Sequence, residues 1–205
     1  MILDWIQAIY NIEGLIAWGG LAIICLIVFV ETGLFFGFFL PGDSLLITAG
    51  VLSAAGLLNV WHLLIFVSLS AIAGDQIGYY IGHKMGKMLF KKKDSLIFHP
   101  EHLARAKAFY DKHGPKTIVI ARFVPIVRTF VPPIAGAANM QYKTFVTYNV
   151  LGGMLWVFST TLGGYFLGSL IPNLERYLYI IIATIIILSF VPILIEIYKH
   201  RKKKE

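Results

Sequence analysis

Cysteine is nearly absent. The 205-residue chain has one, Cys25, inside an apolar run, which excludes an internal disulfide and any disulfide-stapled scaffold. Charge is scarce as well, at 14% of residues against 58% hydrophobic ones, and the mean hydropathy is +0.75. Such a balance excludes an ordinary water-soluble domain and points to the membrane class. No lysine or arginine precedes the first apolar run, and no small-residue cleavage site ends it before Glu31. A cleavable signal is therefore not expected.

Apolar length is what the chain has in abundance. Runs occupy Leu15–Phe29, continuing past Glu31 to Leu40, then Val60–Ile81, Phe145–Leu170 and Tyr177–Tyr198. A spanning helix needs about 20 such residues, so the expectation is an all-α polytopic membrane protein. The opening segment 1–14 is amphipathic and acidic and is expected along the membrane surface or as a frayed end.

The formal net charge of +7 is unevenly placed: nine of the 18 basic residues lie between Lys84 and Lys116 and five in the tail Lys199–Lys204. Basic clusters flanking apolar spans mark the cytoplasmic side, which puts the loop 83–117 and the tail 199–205 there. Anionic lipid would be attracted at about 1 kcal/mol per basic residue. No aromatic-interleaved basic module accompanies the charge, so no nucleic-acid partner is expected. Within the loop, Pro100–Gly114 reads as a surface helix. His99 and His102 lack a third ligand in register, and neither metal nor cofactor is expected.

Loop and tail on one side require an even number of crossings between them, yet three apolar segments intervene: 118–140, 145–170 and 177–198. The stretch RFVPIVRTFVPPIAG (122–136) carries Pro125, Pro132 and Pro133. Each proline removes a backbone donor and clashes with a helical turn, and broken backbone at membrane depth must be enclosed by protein or face a wet cavity. The segment 118–140 is therefore expected to be a re-entrant hairpin. Glu31–Leu58, interrupted at Pro41-Gly42, is expected to be a second.

An offset of 86 residues carries PGDSLLITAG (41–50) onto VRTFVPPIAG (127–136) and GYYIG (78–82) onto GYFLG (164–168). With one crossing between the hairpins, this predicts an inverted repeat with two re-entrant hairpins and about four spanning helices. The first repeat covers 15–82 and the second 118–170, followed by a last span at 171–198. Gly74, Gly78, Gly82 and Gly86, four residues apart, form a ridge suited to close helix packing.

Five ionisable residues stand at membrane depth: Glu31, Asp43, Asp75, Arg122 and Arg128. At roughly 3 kcal/mol each, about 15 kcal/mol in all, they require pairing or water. Glu31 and Asp43 either pair structurally with Arg122 and Arg128 or act with them on a ligand, the arginines gripping an anionic head group and a carboxylate carrying a proton. Asp75 is either a helix–helix hydrogen-bonding residue or a third proton carrier.

Taken together, ETGLFFGFFLPGDSLL, AGDQIGYYIG and ARFVPIVRTFVPPIAG resemble the bacterial DedA family, also called the SNARE-associated or VTT-domain family, from about Gly14 to the tail. The resemblance implies a multi-pass bacterial inner-membrane protein that returns undecaprenyl phosphate to the cytoplasmic leaflet. It assigns functional acids to Glu31 and Asp43 and the paired arginines to Arg122 and Arg128. The partners so implied are an anionic lipid, protons and the bilayer. The alternative is a proton-coupled transporter of a small ion or drug-like cation, which needs the carboxylates more than the arginines. An enzyme is not expected, because all six histidines (His62, His83, His99, His102, His113 and His200) lie outside the two hairpin motifs and no nucleophile–base pair presents itself.

Overall fold

The computed structural model describes residues 12–34, 42–89 and 114–172, with Ile180 and Thr184. Every regular element among them is helical. In chain order these are α1 (Ile12–Gly33), α2 (Gly42–Ala54), α3 (Val60–His62), a π-helical turn (Leu63–Val67), α4 (Ser68–Leu89), α5 (Lys116–Ala121), α6 (Pro125–Ala137) and α7 (Tyr142–Ser169). The segment 1–11, Pro41, most of the loop helix expected over 100–114, nearly all of the span expected over 171–198 and the tail 199–205 lie outside the described residues.

Among the described residues, two helices are long and apolar enough to cross a membrane: Val60–Met85, running through the π turn, and Tyr142–Ser169. Burial runs opposite to that of a water-soluble protein. Leu69, Ile120, Phe166 and Leu167 are more than half exposed, while Glu31, Asp75, Arg122, Arg128 and Asn149 are buried. Large apolar surface turned outward around buried ions suits a hydrocarbon solvent.

The helix ends follow local chemistry. Asn59 caps α3, its Oδ1 accepting from the backbone N–H of Trp61 (2.9 Å) and His62 (3.2 Å). Gly56, at φ 78°, closes α2 in the left-handed conformation, with Leu57 N–H donating to the Leu52 carbonyl at 3.0 Å. Asn139, at φ 55°, closes α6 the same way, with Met140 N–H donating to Ala135. Both are Schellman endings, and glycine and asparagine are the residues that adopt that backbone most cheaply.

The chain divides into two compact units: Met1–Ile24, Pro41–Leu64 and Phe158–Glu205 form one, Cys25–Leu40 and Ile65–Val157 the other. In the first, α2 lies on the C-terminal part of α7. A Cβ on Gly50 would collide with the backbone of Thr161 and Tyr165, and one on Gly164 with the backbone of Ile47. The buried apolar residues of this unit include Leu46, Ala49 and Val51.

In the second unit α6 lies on α4. A Cβ on Gly82 would collide with the backbone of Pro133, and one on Gly136 with the backbone of Tyr79 and His83. α1 also crosses α4 here: Gly33 and Gly74 meet backbone to backbone, and the Thr32 hydroxyl donates to the Ala71 carbonyl at 3.3 Å. A cluster of Tyr79, Ile118, Met140 and Phe145 fills the interior at one end. The Tyr79 ring stacks on Phe145 at 4.5 Å and its hydroxyl donates to the Met140 carbonyl.

One expectation is corrected. Pro132 and Pro133 do not interrupt the chain; both sit inside α6, and the break falls ahead of Pro125. Their rings lie against Gly78, whose Cβ would stand 3.3 Å from Pro132 Cβ and 3.4 Å from Pro133 Cδ. Packing into the groove that the glycines of α4 leave open offsets the hydrogen bonds that two interior prolines forgo.

Candidate functional site

The RFVP sequence makes the break. α5 stops at Ala121, and three short-range bonds tighten its end: Arg122, Phe123 and Val124 N–H donate to Val119, Ile120 and Ala121. Val124 is extended, at φ −110° and ψ 106°, as the residue before a proline prefers. Pro125 then opens α6 at its first position, where a missing N–H costs nothing. Arg122 is thus the last residue of one arm and Arg128 lies in the first turns of the next.

Both arginines turn inward. Arg122 is 4% exposed and Arg128 7%. Arg122 Nη1 pairs with Asp75 Oδ2 of α4, and Arg128 Nη2 pairs with Glu31 Oε1 of α1. The Nη1 atom of Arg122 also donates to Asn149 Oδ1 of α7 at 2.7 Å, and Asn149 Nδ2 donates to the Ile72 carbonyl at 3.3 Å. Both guanidinium groups lie by the ring of Trp156, at 4.5 Å for Arg128 and 5.7 Å for Arg122, within cation–π range.

Two formal positive and two formal negative charges therefore share one buried cluster. Ions so far from water survive only when paired, and removing one partner from such a pair costs about 3–5 kcal/mol. Arg122 is not saturated: its Nε and Nη2 are buried and donate to nothing. Those two nitrogens form the edge of the guanidinium fork that fits two oxygens of one phosphate or carboxylate.

Four residues singled out in the sequence, Glu31, Asp75, Arg122 and Arg128, meet in this one unit. Asp43 belongs to the other unit, partly exposed in the first turn of α2, where the helix dipole favours a carboxylate. For Arg122 the expected acid, Glu31 or Asp43, is replaced by Asp75. The reason is geometric, because the crossing of α4 against the break in the chain brings position 75 to the end of α5.

Asn149 and Trp156 escaped the sequence reading. Asn149, Gly152, Gly153 and Trp156 recur at i, i+3, i+4 and i+7, one face of α7. An asparagine in an apolar run, on the same face as adjacent glycines and a tryptophan, was the signal available.

The family model described as the VTT domain matches residues 40–166, which include Asp43, Asp75, both arginines, Asn149 and Trp156. The protein DedA of Escherichia coli (strain K12) is 46% identical over 183 residues, 88% of this chain and 83% of that one. The chain belongs to the DedA family. An uncharacterised membrane protein of Mycobacterium leprae is 44% identical over 183 residues, covering 89% of this DedA-family chain and 82% of its own. The inner membrane protein YqjA of Escherichia coli (strain K12) is 35% identical over 148 residues, 71% and 66% of the two chains. No solved structure matches. These relatives and the outward apolar faces agree on a membrane location for this member of the DedA family.

Proposed function

We propose that this DedA-family protein is a transporter, not an enzyme, and returns a lipid phosphate, undecaprenyl phosphate, to the cytoplasmic leaflet of the bacterial inner membrane in a proton-coupled cycle. In this reading Glu31–Leu58 and 118–140 are re-entrant hairpins of an inverted repeat with about four spanning helices, and the basic loop and tail face the cytoplasm. The observation that carries it is the unsatisfied Nε/Nη2 edge of Arg122 within a buried cluster of ions. A phosphate replacing its hydration shell with that edge gains charge-assisted hydrogen bonds where little water competes. The polyprenyl tail stays in lipid, against the outward apolar faces. Protonation of Glu31 beside Arg128, or of Asp75 beside Arg122, frees an arginine for the ligand, and loss of that proton restores the internal pair after release, with Asp43 as the alternative proton carrier. The pairing of Glu31 and Asp75 with guanidinium groups favours an anionic cargo over a cationic one.

The test is reconstitution of the purified protein in liposomes containing labelled undecaprenyl phosphate, with the exposure of the phosphate in each leaflet followed over time. Transfer well above that of empty vesicles and lost in Arg122→Ala is the expected result. Transfer at the empty-vesicle rate, or unchanged in Arg122→Ala, would sink the proposal.

A further inference from the structure

Arg122 is held along its length by one face of α7. A Cβ at Gly152 would stand 3.6 Å from Arg122 Cδ, and one at Gly153 would stand 3.4 Å from Nη2 and 3.6 Å from Cζ. Asn149 takes a hydrogen of Nη1, and the Trp156 ring lies 5.7 Å from Cζ. Residues 149, 152, 153 and 156 therefore all border this one side chain, from Cδ to the guanidinium nitrogens. Asn149 is itself anchored, its amide nitrogen donating to the Ile72 carbonyl, and both Asn149 and Trp156 are almost wholly buried.

A planar guanidinium presents three edges, and the way it is held decides which one a ligand meets. Here Nη1 is occupied by Asp75 and Asn149, while Nε and Nη2 donate to nothing. Gly153 lets α7 pack closely here: a Cβ there would stand 3.1 Å from Ile72 Cγ1 and 3.4 Å from Nη2, so a larger side chain would press on both. Trp156 also faces Arg128 at 4.5 Å, so one ring restrains the planes of both cations. Neither Asn149 nor Trp156 carries charge, and neither is needed to neutralise an acid.

We infer that Asn149 and Trp156 are positioning residues that turn the Nε/Nη2 edge of Arg122 toward a bidentate oxyanion, the phosphate of a phosphomonoester lipid. The inference rests on the function proposed above and adds what gives that site its selectivity for phosphate. Asn149 fixes the guanidinium by holding Nη1, and Trp156 fixes its plane. Without either, the group rotates about its side-chain torsions and the edge is no longer preorganised.

The test uses the full-length protein in nanodiscs and two soluble probes that differ only in the head group, farnesyl phosphate and farnesol. Binding is titrated for wild type, Asn149→Leu, Asn149→Ser, Trp156→Leu and Trp156→Phe, with the thermal midpoint of each variant measured alongside. Loss of a hydrogen bond to a charged group or of a desolvated cation–π contact corresponds to about tenfold or more in affinity. Asn149→Leu and Trp156→Leu are accordingly expected to weaken farnesyl phosphate binding by about that factor and leave farnesol binding unchanged. Trp156→Phe keeps an aromatic face and should fall within about threefold of wild type. A packing role would weaken both probes equally and make Phe and Leu alike at position 156, and that result overturns the inference. So does wild-type affinity for farnesyl phosphate in the Leu variants. Should Asn149→Leu fail to fold, the Ser variant and the Trp156 pair decide the matter in the same way. If wild type itself binds farnesyl phosphate no better than farnesol, the proposed function falls and the inference falls with it.

Discussion

In one unit Gly50 of α2 lies against the backbone of Thr161 and Tyr165, and Gly164 against that of Ile47. In the other Gly136 of α6 lies against Tyr79 and His83, and Gly82 against Pro133. Gly50 and Gly136 are related by the 86-residue repeat, as are Ile47 and Pro133. Their partners on the long helices are related by 82 instead, as Gly82 is to Gly164. The same glycine interlock is thus built twice, with one helix seated four residues, a single turn, further along in one copy.

The chemistry is not repeated. The α2 unit buries hydroxyls, those of Ser44, Thr48, Ser53 and Thr161, where the α6 unit buries Glu31, Asp75, Arg122 and Arg128. The residue 86 positions beyond Asp75 is Thr161. Backbone contact through glycine supplies the frame in both units, and among the described residues the buried ions belong to one of them. That division of labour is open to experiment.

Gly82→Leu and Gly164→Leu should have the largest effect. Each drives a side chain into backbone that has no room to yield, at about 3 kcal/mol or more, and little folded protein should survive size-exclusion chromatography in detergent. If one of the two is tolerated, the interlock is not a shared frame. Next comes Asp75→Leu, which leaves Arg122 buried beside an apolar group and should cost about 3–5 kcal/mol in thermal unfolding. The double change Asp75→Leu with Arg122→Met should recover most of that loss, since apolar replacements of buried pairs are often neutral, while lipid transfer stays absent.

Arg128→Lys keeps the charge and loses the planar fork. Transfer of undecaprenyl phosphate is expected to fall by about tenfold or more, with a smaller change in thermal midpoint than Asp75→Leu produces. Survival of full transfer would mean that charge alone matters at this position. The smallest effect belongs to the α2 unit, whose buried polar side chains among the described residues carry hydroxyls. Thr161 Oγ1 is buried with no hydrogen-bond partner, so Thr161→Val should shift stability by no more than about 1 kcal/mol, and upward. A large loss there would show that the α2 unit also carries a polar site.

What could be read from the sequence divides along physical lines. Charges standing in apolar runs announce themselves because each is expensive in lipid, so Glu31, Asp75, Arg122 and Arg128 stood out before any coordinates. Pro125, Pro132 and Pro133 all read as breaks, and Pro125 alone marks one, because a proline dictates the backbone of the residue before it. Partners were another matter. Spacing along a helix assigns a residue to a face, but which acid meets Arg122 depends on how α4 crosses the break. Pro132 and Pro133 misled for a related reason: their local cost is real, and only a glycine groove on a distant helix offsets it. Asn149 and Trp156, modest residues in a greasy run, acquire meaning through the side chain they hold.

The π-helical turn at Leu63–Val67 has a consequence for phase. Such a turn holds about one residue more than a regular one, and each residue advances an α-helix by about 100°. Remove one residue from Leu63–Val67 and the winding becomes regular, but α4 turns by about that angle relative to α3 within the one helix. Residues of α3 and α4 that now share a face of that helix would no longer do so. An insertion that looks like a local irregularity therefore sets which residues on its two sides line up.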